Sequence, residues 1–373
     1  MQKKYISLGL MSGTSGDGVD ASLIRSNGTN DYESIKDKYF EYNKEIYESI
    51  HSLKEKINKK EDLIRYSEEV GKLERDITIF HAKIIKDLKI EDNNCLIGFH
   101  GQTIYHNPEE QLSNQLGDPH LLNQLSKKKI IFNFRKNDIL NGGDGAPLTP
   151  LFHQLLTLKK KINLPVCILN IGGISNITII NKSTGNENFF SLDIGPGNCL
   201  IDKWVRKNSQ KKYDYNGTLA LSGEKNEVIL EQAQELFNNR LNKKKRSFDV
   251  SDFDISFARG LSLADGARML TDFTANIIGE GLVKNIRKFN GSIKNILLCG
   301  GGRKNKVLIE KIQHILDPNI KLKPIDVFKI NGDFIESQAF AFFAIRTYKN
   351  LPISFPNTTG CKEPCIGGEI IKY

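Results

Sequence analysis

The chain has 373 residues, of which 39% are hydrophobic and 26% are charged, and its net charge at pH 7 is +9. The length fits two domains, and no apolar run is long enough to cross a bilayer or to form a signal peptide, so we expect a cytoplasmic protein that does not bind membranes. The lysines occur in polar helical stretches without interleaved aromatic residues, which argues against nucleic-acid binding.

A turn of small residues near the N-terminus is the strongest functional signal in the chain. It joins two predicted strands, Tyr5 to Met11 and 19–24. Gly13, Gly16 and Gly18 can adopt positive φ and let backbone N–H groups approach an anion. The chain contains no Walker A sequence, so the pattern predicts a phosphate site on a hairpin, with a hairpin that binds no ligand as the alternative. The expected nucleotide contacts in this turn are Ser12, Gly13, Thr14, Ser15, Gly16, Asp17, Gly18 and Val19.

The rest of the first half alternates predicted helices and strands. Apolar residues at helical spacing predict helices over 44–60 and 63–88. Short apolar runs predict strands over 95–99 and 130–134. This order predicts an α/β first domain.

The second half begins with another predicted hairpin, over 164–181, and then a strand that ends in an Asp-bearing turn at 193–198. Downstream, the pattern predicts a long helix, a buried strand followed by three glycines, and a final apolar helix, over 263–288, 295–299 and 337–349. Ligands bind at the carboxyl ends of strands in such sheets, so two related α/β halves predict two domains facing each other across a cleft.

Most of the six cysteines are scattered, and four lie in apolar or glycine-rich runs where a free thiol packs as a small apolar group. Cys361 and Cys365 are close together, but no second Cys or His pair flanks them to complete a tetrahedral zinc site. We therefore expect a terminal loop at this position and a cytosolic protein.

Segments spread over most of the chain resemble motifs of one enzyme family, the anhydro-N-acetylmuramic acid kinases, within the superfamily of sugar kinases, Hsp70 and actin. They are residues 9–20, 98–108, 115–119, 134–138, 142–148, 170–176, 193–198 and 299–302. The resemblance implies an α/β, two-domain actin-like ATPase fold, which is ribonuclease H-like, with a central nucleotide cleft. It also implies an N-terminal domain of residues 1–136 plus about 350–373 and a C-terminal domain of residues 137–349.

The resemblance further implies a reaction. Members of the family hydrolyse the 1,6-anhydro bond of anhydro-N-acetylmuramic acid and phosphorylate the freed O6 with ATP and Mg²⁺, which yields N-acetylmuramic acid 6-phosphate and ADP in cell-wall recycling. By resemblance, Asp193 is the catalytic base that deprotonates water, with a turn-capping aspartate as the alternative, and Asp17 orients water on Mg²⁺. The second phosphate turn and the adenosine turn are expected to comprise Gly172, Gly173, Gly195, Gly197, Asn198, Gly300, Gly301 and Gly302.

The expected partner is a small anhydro amino sugar, and a homodimer is compatible with the sequence. Arg135 is the candidate for the lactyl carboxylate, because a guanidinium group pairs with a carboxylate through two hydrogen bonds. His100, Gln102 and Thr103 are expected to line the sugar pocket, and Glu336 to bind sugar hydroxyls. The structural alternatives are a surface salt bridge for Arg135, a core position for His100 and a favourable helix-dipole contact for Glu336.

The chain departs from the family pattern at two places. Lys245 to Asp249 stand where the family has a K-S-T-G-R-E-like element, which affects the substrate contacts expected there, and Asp144 stands where Gln is more usual. Two other functions stay open. A conventional hexose kinase would use Asp193 to deprotonate a sugar hydroxyl directly, and a non-enzymatic sugar sensor would lack a working phosphate turn.

Overall fold

The computed structural model describes residues 3–181, 188–240, 247–289 and 292–373. The chain forms two compact units. The first comprises Met1–Ile162 together with Phe334–Tyr373, and the second comprises Asn163–Asp333.

The strands are β1 (Tyr5–Ser12), β2 (Gly18–Ser26), β3 (Tyr32–Glu41), β4 (Leu96–Asn107), β5 (Leu112–Leu116), β6 (Lys129–Phe132), β7 (Val166–Ile171), β8 (Ile174–Ile180), β9 (Phe189–Pro196), β10 (Asn295–Cys299), β11 (Lys321–Pro324) and β12 (Glu369–Ile371). The α-helices are α1 (Lys44–Lys56), α2 (Lys60–Arg65), α3 (Ser67–Asp87), α4 (Pro119–Ser126), α5 (Lys136–Leu140), α6 (Pro150–Lys159), α7 (Cys199–Asn208), α8 (Thr218–Ser222), α9 (Glu227–Arg240), α10 (Leu263–Ile286), α11 (Lys306–Ile315), α12 (Ile335–Tyr348) and α13 (Pro356–Thr359).

The sheet of the first unit has the strand order β12-β6-β4-β1-β2-β3, and β5 pairs with β4. β1 is antiparallel to β2 and parallel to β4, and β4 is parallel to β6. β1 lies between two neighbours, and its last six residues are buried, as expected for a central strand covered on both faces.

The sheet of the second unit repeats this plan with the order β11-β10-β7-β8-β9. In this sheet β8 is antiparallel to the other four strands. In the first unit β2 is likewise antiparallel to β1, β3, β4 and β6. We leave out β5, which pairs with β4 beside the main sheet, and number the first five remaining strands of each unit in chain order. In both units these strands then lie in the spatial order 3-2-1-4-5. This repeated order confirms the prediction of two ribonuclease H-like, actin-like α/β units.

α12 lies in the first unit, unlike the division expected from the sequence. Gly9 on β1 is so close to this helix that a Cβ atom would lie 1.9 Å from Ser337 O. α6 packs in the same unit, where the ring centroid of Phe152 lies 5.1 Å from that of Tyr32. These long-range contacts place two stretches with the first unit rather than with the expected C-terminal domain, namely residues 137–162 and 334–349.

Among the residues that the structure describes, no helix is both long enough and apolar enough to cross a membrane.

Candidate active site

The carboxyl side of the first unit's sheet brings together the candidate residues of three parallel strands. β1 ends at Ser12, where the first turn begins, and its register pairs Ser12 with Gln102 on β4. Arg135 follows β6, the next parallel strand. Residues that are about 30 to 120 positions apart in the sequence therefore meet at one sheet edge, which is the usual ligand-binding edge of such sheets.

The first turn is a hairpin connection, as the sequence predicted. Gly16 has a φ of +62° and its N–H donates to Gly13 O over 3.1 Å. Gly13 and Gly18 do not have positive φ, which corrects that expectation. Gly18 is needed for another reason, since a Cβ atom there would lie 2.4 Å from Phe40 O on the neighbouring strand.

Only part of this turn is open to a ligand. Gly13, Thr14, Ser15 and Asp17 are at least partly exposed, and a Cβ atom on Gly13 would meet no atom closer than 3.9 Å. The other four residues expected to contact nucleotide are buried and form the base of the turn, namely Ser12, Gly16, Gly18 and Val19. Lys54 on α1 donates to Thr14 O over 2.7 Å and so fixes the exposed tip.

Gln102 supports the first turn instead of lining an open pocket. Its side chain is completely buried, and its Nε2 donates to Gly13 O over 3.0 Å. Its Oε1 accepts from the Ser12 hydroxyl over 2.6 Å, and Tyr42 donates to that hydroxyl over 3.1 Å. The expectation of a sugar contact is therefore corrected, because both ends of the amide are used to hold the turn in place.

The His100 side chain helps to position Arg135. The Nδ1 atom lies 2.8 Å from Gly101 O and the Nε2 atom lies 3.0 Å from Arg135 Nη2, so the neutral tautomer donates to the carbonyl and accepts from the guanidinium. Burial, together with the Arg135 charge, holds the pKa of His100 well below its ordinary value. Arg135 is half-buried and donates from Nη1 to Gly145 O over 2.8 Å. These two contacts orient the guanidinium, whereas His100 itself is a core residue with 5% exposure.

Thr103 and Glu336 are partly exposed in the first unit, at positions where they can face a ligand. The Thr103 hydroxyl accepts from Gln115 Nε2 over 3.3 Å. Glu336 lies in the first turn of α12, whose N-terminus favours a negative side chain.

In the second unit, the turn between β7 and β8 is bonded to the junction of β9 and α7. Gly197 N donates to Gly173 O and Asn198 N donates to Gly172 O, both over 2.8 Å. A Cβ atom on Gly197 would lie 2.2 Å from Gly172 O, so only glycine allows these two turns to approach. Gly195 is likewise restricted, because a Cβ atom there would lie 2.4 Å from Ile277 Cγ2.

Asp193 lies on β9 and is 6% exposed. Its Oδ2 accepts from the Phe248 backbone N–H over 2.8 Å. This contact comes from the segment in which the chain departs from the family pattern, of which Lys245 and Arg246 lie outside the described residues. This backbone donor helps to give the carboxylate a defined orientation, in which it can still accept a proton.

A glycine turn follows β10 beside the β7–β8 turn of the same unit. Gly300 has a φ of +77°, and a Cβ atom there would lie 2.4 Å from Asn170 Oδ1. Gly302 is buried against Ile171, whereas Gly301 is exposed. Arg303 fixes this turn, since its Nη1 donates to Gly300 O over 2.9 Å.

Arg303 was missed by the sequence reasoning. Its side chain is only 7% exposed and pairs with Asp333 at 2.6 Å and with Asp326 at 2.9 Å. Both carboxylates raise the pKa of Arg303 against the opposing effect of burial. The position of Arg303 directly after the three glycines could have indicated a role in this turn. Its acidic partners could not be inferred, because they lie more than twenty residues downstream in the sequence.

Asn176 was also missed. Its Cα pairs in register with that of Asp193 on the adjacent strand. Among the described residues, its buried Oδ1 has no hydrogen-bond partner. A buried amide oxygen without a donor costs free energy, which favours a ligand contact at this position. The available signal was the repetition of Asn in the Asn170–Asn176 segment.

Comparison with known proteins finds the same family that the motifs resemble. Residues 4–373 match the family model described as anhydro-N-acetylmuramic acid kinase. A protein of that name from Pelagibacter ubique (strain HTCC1062) is 54% identical over 375 residues, which covers 100% of this chain and 100% of the relative. Relatives of the same name are 35% identical in Gluconobacter oxydans (strain 621H), covering 98% of this chain and 99% of the relative, and 32% identical in Agrobacterium fabrum (strain C58 / ATCC 33970), covering 98% of each.

Proposed function

The chain belongs to the anhydro-N-acetylmuramic acid kinase family, and on that premise we propose that it opens the 1,6-anhydro bond of anhydro-N-acetylmuramic acid and phosphorylates the freed O6. The chain is a kinase that uses ATP. The observation that carries the proposal is the extent of the match, which includes residues 4–373 and a full-length relative at 54% identity. The proposed products are N-acetylmuramic acid 6-phosphate and ADP.

The exposed part of the first turn supports a phosphate contact. Gly13 presents backbone without a side chain to open space, and Thr14 and Ser15 add hydroxyl donors. In the second unit, the crossed turns at Gly173 and Gly197 present further backbone to a ligand, and no Cβ atom fits between them. We assign the ATP phosphates to these turns and the adenosine to the glycine turn at Gly300.

We assign the general base to Asp193. In the proposed reaction its carboxylate takes a proton from water, the water oxygen forms a bond to the anomeric carbon, and the bond from that carbon to O6 breaks. The electron pair left on O6 attacks the γ-phosphorus of ATP, and ADP leaves. The Phe248 N–H fixes the orientation of the carboxylate for this proton transfer.

The donor set of the first turn fits a hydrated magnesium ion. Asp17 is half-buried, its Oδ1 accepts from Ser15 Oγ over 2.6 Å, and a carboxylate is a preferred partner of this hard cation and its waters. We propose that Asp17 hydrogen-bonds water on Mg²⁺. The ion, when bound, would neutralise charge on the ATP phosphates.

We assign the lactyl carboxylate of the sugar to Arg135. The contacts of this side chain with His100 and Gly145 orient the planar guanidinium group. His100 is thereby a positioning residue, since its neutral ring accepts a hydrogen bond and adds no competing charge. Thr103 and Glu336 stay candidates for sugar hydroxyls, because both are partly exposed.

Turnover in ¹⁸O-labelled water tests the coupled reaction. We expect the label on the C1 hydroxyl of the product and none on the phosphate, because water attacks carbon and O6 attacks phosphorus. The product must be quenched early and compared with unlabelled product incubated in the same water, since C1 exchanges its hydroxyl through the open-chain sugar. A product without label on C1 at early times would leave only a conventional sugar kinase, and label on the phosphate would indicate ATP hydrolysis.

The proposed reaction belongs to cell-wall recycling and requires a compartment that contains ATP, so we place the protein in the cytoplasm. All six cysteines are buried and none is joined in a disulfide, which suits the proposed reducing compartment. The homodimer stays a prediction, which sedimentation velocity measurements would test.

A further inference from the structure

Asp138, Cys361 and Cys365 meet in the interior of the first unit. Asp138 lies on α5, whereas the two cysteines lie in the loop that follows α13. One ligand atom of each residue lies within 4.8 Å of the ligand atoms of the other two. Their exposed fractions are 0%, 1% and 3%, so the cluster is closed to bulk solvent.

Backbone hydrogen bonds fix the loops that carry these side chains. Lys362 N donates to Asn141 O over 3.0 Å, which joins the cysteine loop to the end of α5. Cys365 N donates to Ser354 O over 3.0 Å and Cys365 O accepts from Ile353 N over 2.8 Å, which joins the same loop to the segment after α12. The backbone segments that carry the three side chains are therefore held together before any ligand arrives.

The buried Asp138 carboxyl group has hydrogen-bond partners but no ion-pair partner among the described residues. Its Oδ1 accepts from Thr359 Oγ1 over 2.6 Å and its Oδ2 accepts from Gly145 N over 2.7 Å. Within the described part of the chain, Asp138 forms no ion pair. Buried carboxylates in proteins are usually paired with a cation or bound to a metal, because an uncompensated buried charge is costly.

A second buried polar group lies beside the cluster. Ser354 forms an isolated antiparallel bridge with Cys365 and is 1% exposed. Among the described residues, its hydroxyl has no well-aligned hydrogen bond, and it interacts with the Cys365 thiol. A thiolate at Cys365 would provide an acceptor beside this hydroxyl.

We propose that Asp138, Cys361 and Cys365 bind one thiophilic divalent cation of the zinc class, with water as the fourth ligand. Zinc takes thiolate and carboxylate ligands in tetrahedral sites with bonds of about 2.0 to 2.3 Å, so the ligand atoms need to lie roughly 3.5 Å from one another. The ligand atoms now lie within 4.8 Å of one another, so binding would draw them closer. The two hydrogen bonds to Asp138 would orient its carboxylate, as outer partners do in metal sites.

Binding converts both thiols to thiolates and releases two protons to solvent. The bound cation would join α5, which begins directly after Arg135, to the C-terminal loop. This role is structural and goes beyond the proposed kinase reaction.

Cobalt titration of the reduced, full-length protein tests the site. We expect one Co²⁺ per chain with a thiolate-to-cobalt charge-transfer band, displacement of that band by Zn²⁺, and a higher melting temperature with Zn²⁺. The double variant Cys361→Ala/Cys365→Ala should bind at least about 100-fold more weakly, because two of three protein ligands are lost. Cys95→Ala is the matched control, since Cys95 is a fully buried thiol elsewhere in the same unit, and it should bind as the wild type does.

The single variant Cys365→Ser keeps the test decisive if the double variant does not fold, because it removes one of the two thiolates and should weaken both cobalt binding and the band. The proposal is overturned if the reduced wild type shows no charge-transfer band and no stabilisation by Zn²⁺. It is equally overturned if the cysteine variants bind cobalt like the wild type, or if the reduced protein binds no cation and air oxidation only forms a disulfide between Cys361 and Cys365.

Discussion

At the scale of single residues, hydrogen-bond partners separate candidate chemistry from support. Asp193 is nearly buried, and its carboxylate accepts from the Phe248 N–H, which helps to fix its orientation. Gln102 has both amide atoms bonded within the first turn, and it therefore holds the turn. His100 is bonded through both ring nitrogens and orients Arg135.

Replacing Asp193 by Asn tests its assignment as the base. We expect turnover to fall by ~10²-fold or more while ATP affinity changes little, because an amide cannot accept a proton but preserves the shape of the side chain. Steady-state kinetics and calorimetry with ATP measure the two effects. Asp254→Asn, at an exposed position in the same unit, is the control. Retention of more than about a tenth of the activity would make Asp193 a structural residue.

At the scale of elements, both units place their candidate turns where parallel strands end. The turns differ in how they are fixed. The first is supported by side chains beneath it, whereas those of the second unit are joined by backbone hydrogen bonds and by Arg303. Small substitutions in these turns should therefore separate ligand binding from stability.

Two glycine variants distinguish these effects in the first turn. Gly16→Val should lower stability by roughly 1 to 2 kcal/mol or more, because a side chain is strained at positive φ and its Cβ atom would lie 2.8 Å from Ile50. Gly13→Val should leave stability nearly unchanged and weaken ATP binding, since its Cβ atom would point into open space. Melting curves and ATP calorimetry compare the two variants. Unchanged ATP affinity in Gly13→Val would remove the phosphate assignment.

Arg303→Met should weaken ATP binding without comparable loss of turnover at saturating ATP. The methionine keeps much of the buried stem but removes the bonds that fix Gly300 and pair with Asp333. We expect KM for ATP to rise about tenfold, as for loss of a charged hydrogen bond. Lys304→Met is the matched control, because Lys304 is exposed and pairs only with Asp333 among the described ion pairs. Equal effects of both variants would contradict a specific role for Arg303.

At the scale of the whole molecule, buried histidines couple stability to pH. Burial lowers the pKa of His81 to about 4 and that of His153 to about 3, and burial with the Arg135 charge lowers that of His100. The unfolded chain protonates these groups near a pKa of ~6.5, whereas the folded chain keeps them neutral to lower pH. The contribution of these histidines to the free energy of unfolding is therefore complete above a pH of ~6.5. It is lost progressively as the pH falls towards their pKa values in the folded chain.

Each such histidine should change the free energy of unfolding by up to ~1.4 kcal/mol per pH unit between a pH of ~6.5 and its pKa in the folded chain. We expect His153→Gln to reduce the pH dependence of the free energy of unfolding between pH 6.5 and 5. Urea unfolding at several pH values measures this slope. His120→Gln, at an exposed position, should leave it unchanged. A slope that His153→Gln does not alter would show that this group does not titrate on unfolding.

The sequence by itself determined the family, the repeated hairpins and the long helices, because each is encoded by a contiguous motif or by a regular spacing of apolar residues. It did not predict β3, whose charged residues are mostly exposed and lack the alternation of a half-buried strand. Only the tertiary structure decided which residues meet. It packs α12 against β1, bonds the Gln102 side chain to the first turn and pairs Arg303 with Asp326 and Asp333.

The cysteine loop shows the same division most directly. The sequence places Cys361 and Cys365 in one loop and offers no further ligand nearby. Folding brings Asp138 to them from 223 residues away from Cys361, because α5 and the C-terminal loop are bonded to each other. Local patterns fix local geometry, but a site built from distant segments depends on long-range packing, which one sequence does not reveal.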